Sequence, residues 1–198
     1  MEQKRDEELL AEHLAGSPGA FEVLVARYAD DLYTFFVRFV GNTAAADDLV
    51  QETLLQVHLA AGTFDPARPF KPWVYTVAAN KARDYLRSRG RRPEQSLDAV
   101  SADSEAPPPS ALVEAECVSA PEQMDAESLT RLVRALIARM PEHLRLILIL
   151  GYYQRLPYAE IAEILDIPVG TVKSRLHSAV EHFARLWLAQ GKARTPPE

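Results

Sequence analysis

The sequence predicts an all-α protein of two small helical domains, and three observations carry that prediction. Apolar residues recur at helical spacing through residues 5–92 and again through residues 129–190. The first of these stretches shows no alternation of strand and helix patterns. Residues 93–128, between them, hold nine acidic residues, no Lys or Arg, and the run 107–109 of three prolines. Such a composition is typical of a flexible linker, so we expect two domains joined by an acidic tether.

Composition excludes several functional classes. The single cysteine, Cys117, rules out a disulfide framework and a thiolate metal cluster. The five histidines show no metal-binding spacing, so we expect neither metal nor cofactor. No basic, apolar leader and no run of about 18 apolar residues is present, which predicts a cytoplasmic protein without membrane insertion.

The charge is unevenly distributed. The formal net charge is −6, yet residues 129–198 hold ten Lys and Arg against six Asp and Glu. The acidic linker therefore separates a near-neutral first domain from a basic second domain. A basic domain is compatible with nucleic-acid binding despite the acidic total.

The first domain opens with a short helix that should end near Gly16. Ser17 can cap the next helix, with Pro18 in its first turn. Apolar residues then continue to Val40, where Gly41 and the following asparagine stop the pattern. The aromatic residues of this segment could stack on bases, but they lie at helical spacing without basic neighbours, which favours a packed core.

A third helix follows, with the sequence AADDLVQETLLQV near its start. Thr43 is its predicted cap, and Asp47 and Asp48 are placed in or near the first turn, where they would favour the helix dipole. The pattern continues to about Ala60. Taken alone, these acidic side chains could equally form a solvated helix face.

A loop rich in Gly and Pro, residues 61–72, leads into a helix predicted from Trp73 to about Arg89. One side of this helix is apolar, and its end is basic: Lys81, Arg83, Arg87, Arg89, Arg91 and Arg92. The C-terminal helix dipole would account for one or two of these cations, but not six. Basic side chains beside aromatic ones suit the binding of a single nucleic-acid strand.

The second domain begins with a helix from Leu129 to about Met140, and Pro141 opens the next. The stretch 157–165 then predicts a short helix, with Asp166 at a turn position that requires left-handed geometry. Pro168 and Gly170 should break the chain before a second helix that starts near Thr171. The apolar positions of that helix are Val172, Leu176, Ala179, Val180, Phe183 and Trp187. This arrangement is a helix-turn-helix, which places a recognition helix in the DNA major groove.

Three motifs carry a family resemblance. The run EIAEIL, a turn and P-x-G-T-V-K-S-R-L resemble the promoter-reading domain of bacterial sigma factors of the extracytoplasmic-function group. AADDLVQETLLQV resembles their segment that docks on the coiled coil of the largest polymerase subunit. The pattern W-x-x-x-x-A-x-N-x-x-x-D-x-x-R from Trp73 resembles their region that melts and reads the −10 element.

The resemblance implies a protein that binds core RNA polymerase, directs promoter-specific transcription initiation and is not an enzyme. Its partners would be core polymerase, promoter DNA and an anti-sigma factor. The implied polymerase-binding residues are Asp47, Asp48, Val50, Gln51 and Glu52. The implied −10 contacts are Phe64, Arg68, Phe70, Lys71, Asn80, Lys81, Arg83, Arg87 and Arg89. The implied −35 contacts are Thr171, Lys173, Ser174, Arg175, His177 and Ser178.

Other classes remain as alternatives at this point. A helix-turn-helix regulator that does not dock on polymerase would share the recognition helix, and copurification with core polymerase discriminates the two. A response regulator would need an α/β receiver domain, and a nucleic-acid enzyme would need a carboxylate cluster beside the basic helix, where Asp84 stands alone. The acidic linker could mimic RNA in the polymerase cleft or serve as a solubilising tether.

Overall fold

The structure, a computed structural model, describes residues 4–91 and 126–193. Those residues form eight α-helices, one 3₁₀ turn and one π-helical turn, and none of them is in a strand. The all-α prediction is confirmed. Most of the predicted linker lies outside the described residues, as does Cys117.

The first module is built around one long helix. Its elements are α1 (Asp6–Leu14), α2 (Ala20–Val40), α3 (Thr43–Ala60), a 3₁₀ turn (Ala61–Thr63) and α4 (Phe70–Arg91). Along α2, the side chains of Leu32, Phe35, Phe36 and Phe39 have no exposed surface. The aromatic residues of this segment therefore form the core, as their helical spacing predicted.

Two predicted caps in this module are wrong. Gly19, in a left-handed conformation at φ 85°, is the N-cap of α2, so neither Ser17 nor Pro18 belongs to that helix. The carboxamide oxygen of Asn42 accepts the Ala45 N–H at 2.9 Å, which makes Asn42 the cap of α3. Asn at this position satisfies a backbone donor that would otherwise be unpaired.

The start of α3 also changes the role expected for its acidic residues. The first turn of α3 contains no acidic side chain, because Asp47 and Asp48 lie one turn further along. The dipole effect falls off within the first turn. These two carboxylates therefore contribute little to helix stability and remain on an exposed face.

The helix α4 begins three residues earlier than predicted. The Glu7 carboxylate of α1 accepts the Phe70 N–H at 2.8 Å, which caps the N-terminus of α4 from a distant part of the chain. Asp6 beside it accepts the Tyr28 hydroxyl at 2.5 Å and pairs with Arg27. The loop before α4 is therefore anchored by α1, and it spans only residues 64–69.

The second module contains α5 (Ala126–Ala138), α6 (Glu142–Leu148), a π-helical turn (Ile149–Tyr153), α7 (Tyr158–Leu165) and α8 (Val169–Ala193). The helix α5 starts at Ala126, so the last three residues assigned to the linker are helical. The π-helical turn extends α6 beyond Leu150, and a Cβ on Gly151 would lie 3.2 Å from Leu176 Cδ1. Glycine there lets α8 approach the turn closely.

The helix-turn-helix is present, with one boundary and one side chain placed differently. Asp166 adopts the left-handed conformation that the sequence predicted, at φ 52°. Gly170 does not break the chain, because α8 begins at Val169 and the Pro168 carbonyl accepts the Thr171 N–H at 2.8 Å. Val180, predicted to be on the apolar face, is 40% exposed.

The two modules pack against each other. The helix α7 lies on α4, while α5 and the π-helical turn lie on α2. Apolar side chains of both modules belong to one continuous buried cluster, which includes Phe39, Tyr75, Ile137 and Ile161. Residues 5–92 and 129–190, predicted as separate domains, thus share a contact surface that the sequence did not reveal.

Candidate nucleic-acid interface

The N-terminal half of α8 presents a polar face on an apolar scaffold. Val172, Leu176 and Ala179 are buried against the rest of the second module. Lys173, Ser174, His177 and Ser178 are exposed, and Thr171 and Arg175 are half-buried. The −35 residues suggested by the sequence thus lie along one side of a rigid helix, which is what groove recognition needs.

The charges on this face differ in their availability. Neither Lys173 nor Arg175 forms an ion pair with another described residue. His177 Nε2 lies 3.2 Å from a Glu181 carboxylate oxygen, and the Ser174 hydroxyl donates to the Thr171 carbonyl at 3.1 Å. Lys173 and Arg175 are therefore the cations that a phosphate or base edge could engage directly.

On α3, the residues suggested for polymerase docking form a polar stripe. Asp47, Asp48, Gln51 and Glu52 are exposed, whereas Val50 is half-buried against the core. The burial of Leu49 and Val57 on the opposite side fixes this orientation. The stripe is acidic, so it suits a basic partner surface.

The docking stripe and the basic helix are connected. Glu52 of α3 and Lys81 of α4 form an ion pair with their charged atoms 3.1 Å apart. Glu52 is 57% exposed, and such pairs contribute little to stability. The pair links one residue assigned to polymerase with one assigned to DNA.

The basic end of α4 is open to solvent. Asn80, Arg87 and Arg89 are exposed, and Arg83 is half-buried with its guanidinium 3.5 Å from the Asn80 carboxamide oxygen. Arg87 pairs with Asp84 at 3.4 Å in a solvated contact. These side chains can follow a nucleic-acid backbone without losing a structural role.

An aromatic cluster supports the loop before α4. The ring centroids of Phe64, Phe70 and Trp73 lie 5.0–5.8 Å apart. Phe70 is only 2% exposed and packs under Tyr28, so its side chain supports the loop and presents no face to a base. Phe64 and Trp73 are half-buried, and Arg68 at the loop tip is exposed.

Lys71 and several residues that sequence reasoning missed lie at the junction of the modules. The Lys71 ammonium donates to the Gln154 carbonyl at 3.3 Å, so in this structure Lys71 faces the second module. Tyr75, which is fully buried, donates to the Gln154 side chain at 2.5 Å. Glu163 of α7 reaches the loop from the other side. No local sequence pattern predicts these contacts, because the partners lie about 80 residues apart in the chain.

Other kinds of site are absent from the part of the chain that the structure describes. No group of three or more His, Cys, Asp or Glu residues there could hold a metal ion. No helix among residues 4–91 and 126–193 combines the length and the apolar character that crossing a bilayer requires.

Comparison with known proteins matches both modules to one family. Sigma-70 region 2 matches residues 24–92, and sigma-70 region 4 matches residues 130–183. The chain is similar to RNA polymerase sigma-H factor of Pseudomonas aeruginosa, with 34% identity over 90% of this chain and 92% of that one. ECF RNA polymerase sigma factor SigW of Bacillus subtilis is 33% identical over 84% of this chain and 88% of its own.

Two further similarities support the same assignment. The ECF RNA polymerase sigma-E factor of Escherichia coli is 37% identical over 91% of this chain and 93% of its own. Among solved structures, CnrH in complex with the cytosolic domain of CnrY is similar, with a TM-score of 0.68, 25% identity and coverage of 93% and 97%. The chain therefore belongs to the extracytoplasmic-function RNA polymerase sigma factors, which direct promoter-specific transcription initiation and are not enzymes.

Proposed function

We propose that this sigma factor uses three separate surfaces to bind polymerase and promoter DNA. The polar stripe of α3 docks on core RNA polymerase. The loop at residues 64–69 and α4 melt and read the −10 element, and the N-terminal half of α8 reads the −35 element. The domains are proposed at 5–92 and 129–190, and the protein acts in the cytoplasm, where polymerase and promoters are.

The observation that carries this proposal is the free polar face of α8, residues 171–178. Lys173 and Arg175 have no ion-pair partner among the described residues, and the helix beneath them is fixed by buried Val172 and Leu176. A rigid helix with unpaired cations near its N-terminus can both approach phosphates and reach base edges.

Charge complementarity supports the docking role of α3. Exposed carboxylates that serve neither a cap nor the helix dipole are free for a partner. CnrH is seen bound to the cytosolic domain of CnrY, so we extend to this chain a protein partner, and we propose that this partner is an anti-sigma factor.

Copurification and titration with purified core polymerase test the docking assignment. Asp48→Lys reverses a charge on the stripe without touching the core, and we expect a loss of affinity of about a hundredfold or more, since like charges at an interface cost several kcal/mol. Asp30→Lys, at an exposed position of α2, is the matched control and should bind normally.

Both variants should melt at the temperature of the unmodified protein, because both positions are exposed. Full affinity in Asp48→Lys would remove α3 from the docking surface. No binding of core polymerase by the unmodified protein would instead favour a helix-turn-helix regulator that acts without docking. Mapping transcript 5′ ends after overexpression supplies the promoters for further assays.

A further inference from the structure

Gln154 joins the two modules through three hydrogen bonds. It follows the π-helical turn and is 6% exposed, and the next residue, Arg155, takes an unusual left-handed conformation at φ 52°. Its carboxamide oxygen accepts the Tyr75 hydroxyl at 2.5 Å, and its carboxamide nitrogen lies 3.5 Å from the Asp31 carbonyl. Its own carbonyl accepts from Lys71 at 3.3 Å. One residue of the second module is thus bonded to both α2 and α4.

Burial increases the contribution of the Tyr75–Gln154 hydrogen bond to the contact between the modules. Tyr75 has no exposed surface, and burial, with a smaller effect of Asp31, raises the pKa of its hydroxyl. The hydroxyl therefore stays protonated and needs an acceptor near neutral pH. A buried donor left without a partner loses its hydration with nothing in return. The contact consequently favours the arrangement in which the modules touch.

Two arginine–aromatic contacts lie beside this bond and cross the junction in opposite directions. Arg38 of α2 stacks over the Tyr153 ring with its guanidinium carbon 4.1 Å from the centroid. Arg145 of α6 lies 5.0 Å from the centre of the Phe39 ring in the first module. These contacts add attraction between the modules, although neither is fully buried.

The same arrangement places α7 beside the loop assigned to the −10 element, whose residues 65–69 stay exposed. A cavity of about 370 Å³ lies between the loop and α7. Its walls include Phe64, Arg68 and Trp73 from the first module and Glu163 from the second. A carboxylate at this place repels the phosphates of an entering strand.

Lys71 is also withdrawn from DNA by the same contact. Besides its bond to the Gln154 carbonyl, it lies close enough to Glu160 of α7 to oppose the rise in the pKa of that carboxyl that burial causes. A cation assigned to the −10 strand is therefore engaged by the second module. Movement of α7 away from α4 would release Lys71 and remove Glu163 from the cavity.

We propose that Gln154 is a latch that keeps α7 beside the −10 loop in the free protein. Separation of the modules breaks the bond to Tyr75, removes Glu163 from the cavity and frees Lys71. The identity of the cavity's occupant rests on the proposed function, whereas the latch itself rests only on the contacts between the modules.

Trp73 reports on the latch because it lines the cavity that Glu163 borders from the second module. Trp187→Phe removes the other of the two tryptophans, and acrylamide quenching of Trp73 is then followed at rising urea concentrations below global unfolding. Gln154→Ala should change the ratio of closed to open molecules by about one order of magnitude, as expected for a buried hydrogen bond. The rise in quenching should therefore occur at lower urea. Gln56→Ala, at an exposed position of α3, is the matched control and should leave the curve unchanged.

Tyr75→Phe provides a second test that removes a single oxygen atom and keeps the ring in place. It should shift the quenching curve in the same direction, and combining it with Gln154→Ala should add much less than the two separate shifts. The helical circular dichroism signal confirms that each variant is folded. If Gln154→Ala does not fold, the quenching curve of Tyr75→Phe alone tests the latch.

Curves that coincide with the Gln56→Ala control, or full additivity in the double variant, would overturn the latch. These measurements need neither polymerase nor DNA. A failure of the unmodified protein to bind core polymerase would count against the proposed function and leave the quenching result unaffected.

Discussion

The two surfaces assigned to DNA differ in their contacts with the rest of the molecule. The −35 surface on α8 is exposed, and its cations Lys173 and Arg175 are unpaired among the described residues. The −10 surface is shared with the other module, which engages Lys71 and lines the cavity beside the loop. The −35 surface therefore depends only on its own module, whereas Lys71 and one wall of the cavity at the −10 surface depend on the other module.

Promoter geometry explains why the difference matters. Two elements about 17 base pairs apart are separated by roughly 58 Å along the duplex. The 34 residues between α4 and α5 can extend to roughly 110 Å at about 3.3 Å per residue, so the chain permits such a separation. The contact between Tyr75 and Gln154 does not, because it holds the modules together. The proposed reading of both elements at once therefore requires the modules to separate.

The largest effect is expected on the exposed surface. Lys173→Ala combined with Arg175→Ala should reduce transcription that depends on the −35 element by at least about fivefold to 150-fold, since one base-directed contact is worth about 1–3 kcal/mol. Core polymerase binding should be unchanged, because these residues lie outside α3. The measurement is run-off transcription on a mapped promoter.

Arg185→Ala serves as the control for that experiment, since Arg185 is an exposed cation on the distal half of the same helix. Transcription at the normal level in the double variant would remove α8 from the −35 interface. Equal losses in the double variant and the control would indicate an effect of charge alone.

A smaller, salt-dependent effect is expected on the open end of α4. Arg87→Ala with Arg89→Ala should weaken promoter melting without changing sequence preference, because contacts to phosphates carry no sequence information. The salt dependence of complex formation should fall by about one unit of log–log slope per lost contact. Permanganate reactivity of the melted strand at several salt concentrations measures both quantities.

The control here is Arg139→Ala, an exposed cation in the second module. An unchanged salt slope in the Arg87 and Arg89 variant would mean that this end of α4 is a solvated helix terminus. The exposed pair between Arg87 and Asp84 should not complicate the result, since surface ion pairs contribute about 0–1 kcal/mol.

The smallest effect is expected on the stability of the fold, with DNA recognition unchanged. Asn42→Ala removes the side-chain cap of α3 and should lower the free energy of unfolding by about 1 kcal/mol, while Thr43→Ala should cost little. Thermal or urea unfolding compares the two variants. A larger loss in Thr43→Ala would contradict the observed cap, and neither variant should alter −35 recognition.

Much of the fold could be predicted because its signals are local. The helical spacing of apolar residues located the helices, and Asp166 was identified as the turn residue from its tolerance of the left-handed conformation. The same logic failed at Thr43, because Asn42 next to it is an equally good cap and sequence alone does not rank them. It also failed at Gly170. That residue lies in the first turn of α8, where the Pro168 carbonyl accepts the Thr171 N–H.

The remaining features depend on contacts between distant residues. Phe70 resembled a base-stacking residue of the loop, yet Glu7 caps its N–H and the start of α4 turns the ring into the core. Gln154 lies in no sequence motif that indicates a partner in α4. Exposed residues such as Lys173 and Asp48 were predictable because their motifs are contiguous, whereas the junction between the modules was not.

One measurement tests directly whether the modules are in contact in the free protein and separate on polymerase. Donor and acceptor dyes are attached to Val23→Cys and Leu188→Cys, exposed positions of α2 and α8, in a Cys117→Ser background. Energy transfer should fall from its value in the free protein on titration with core polymerase, and the value in the bound state should not depend on Gln154. Equal transfer in the free and bound states would contradict the account.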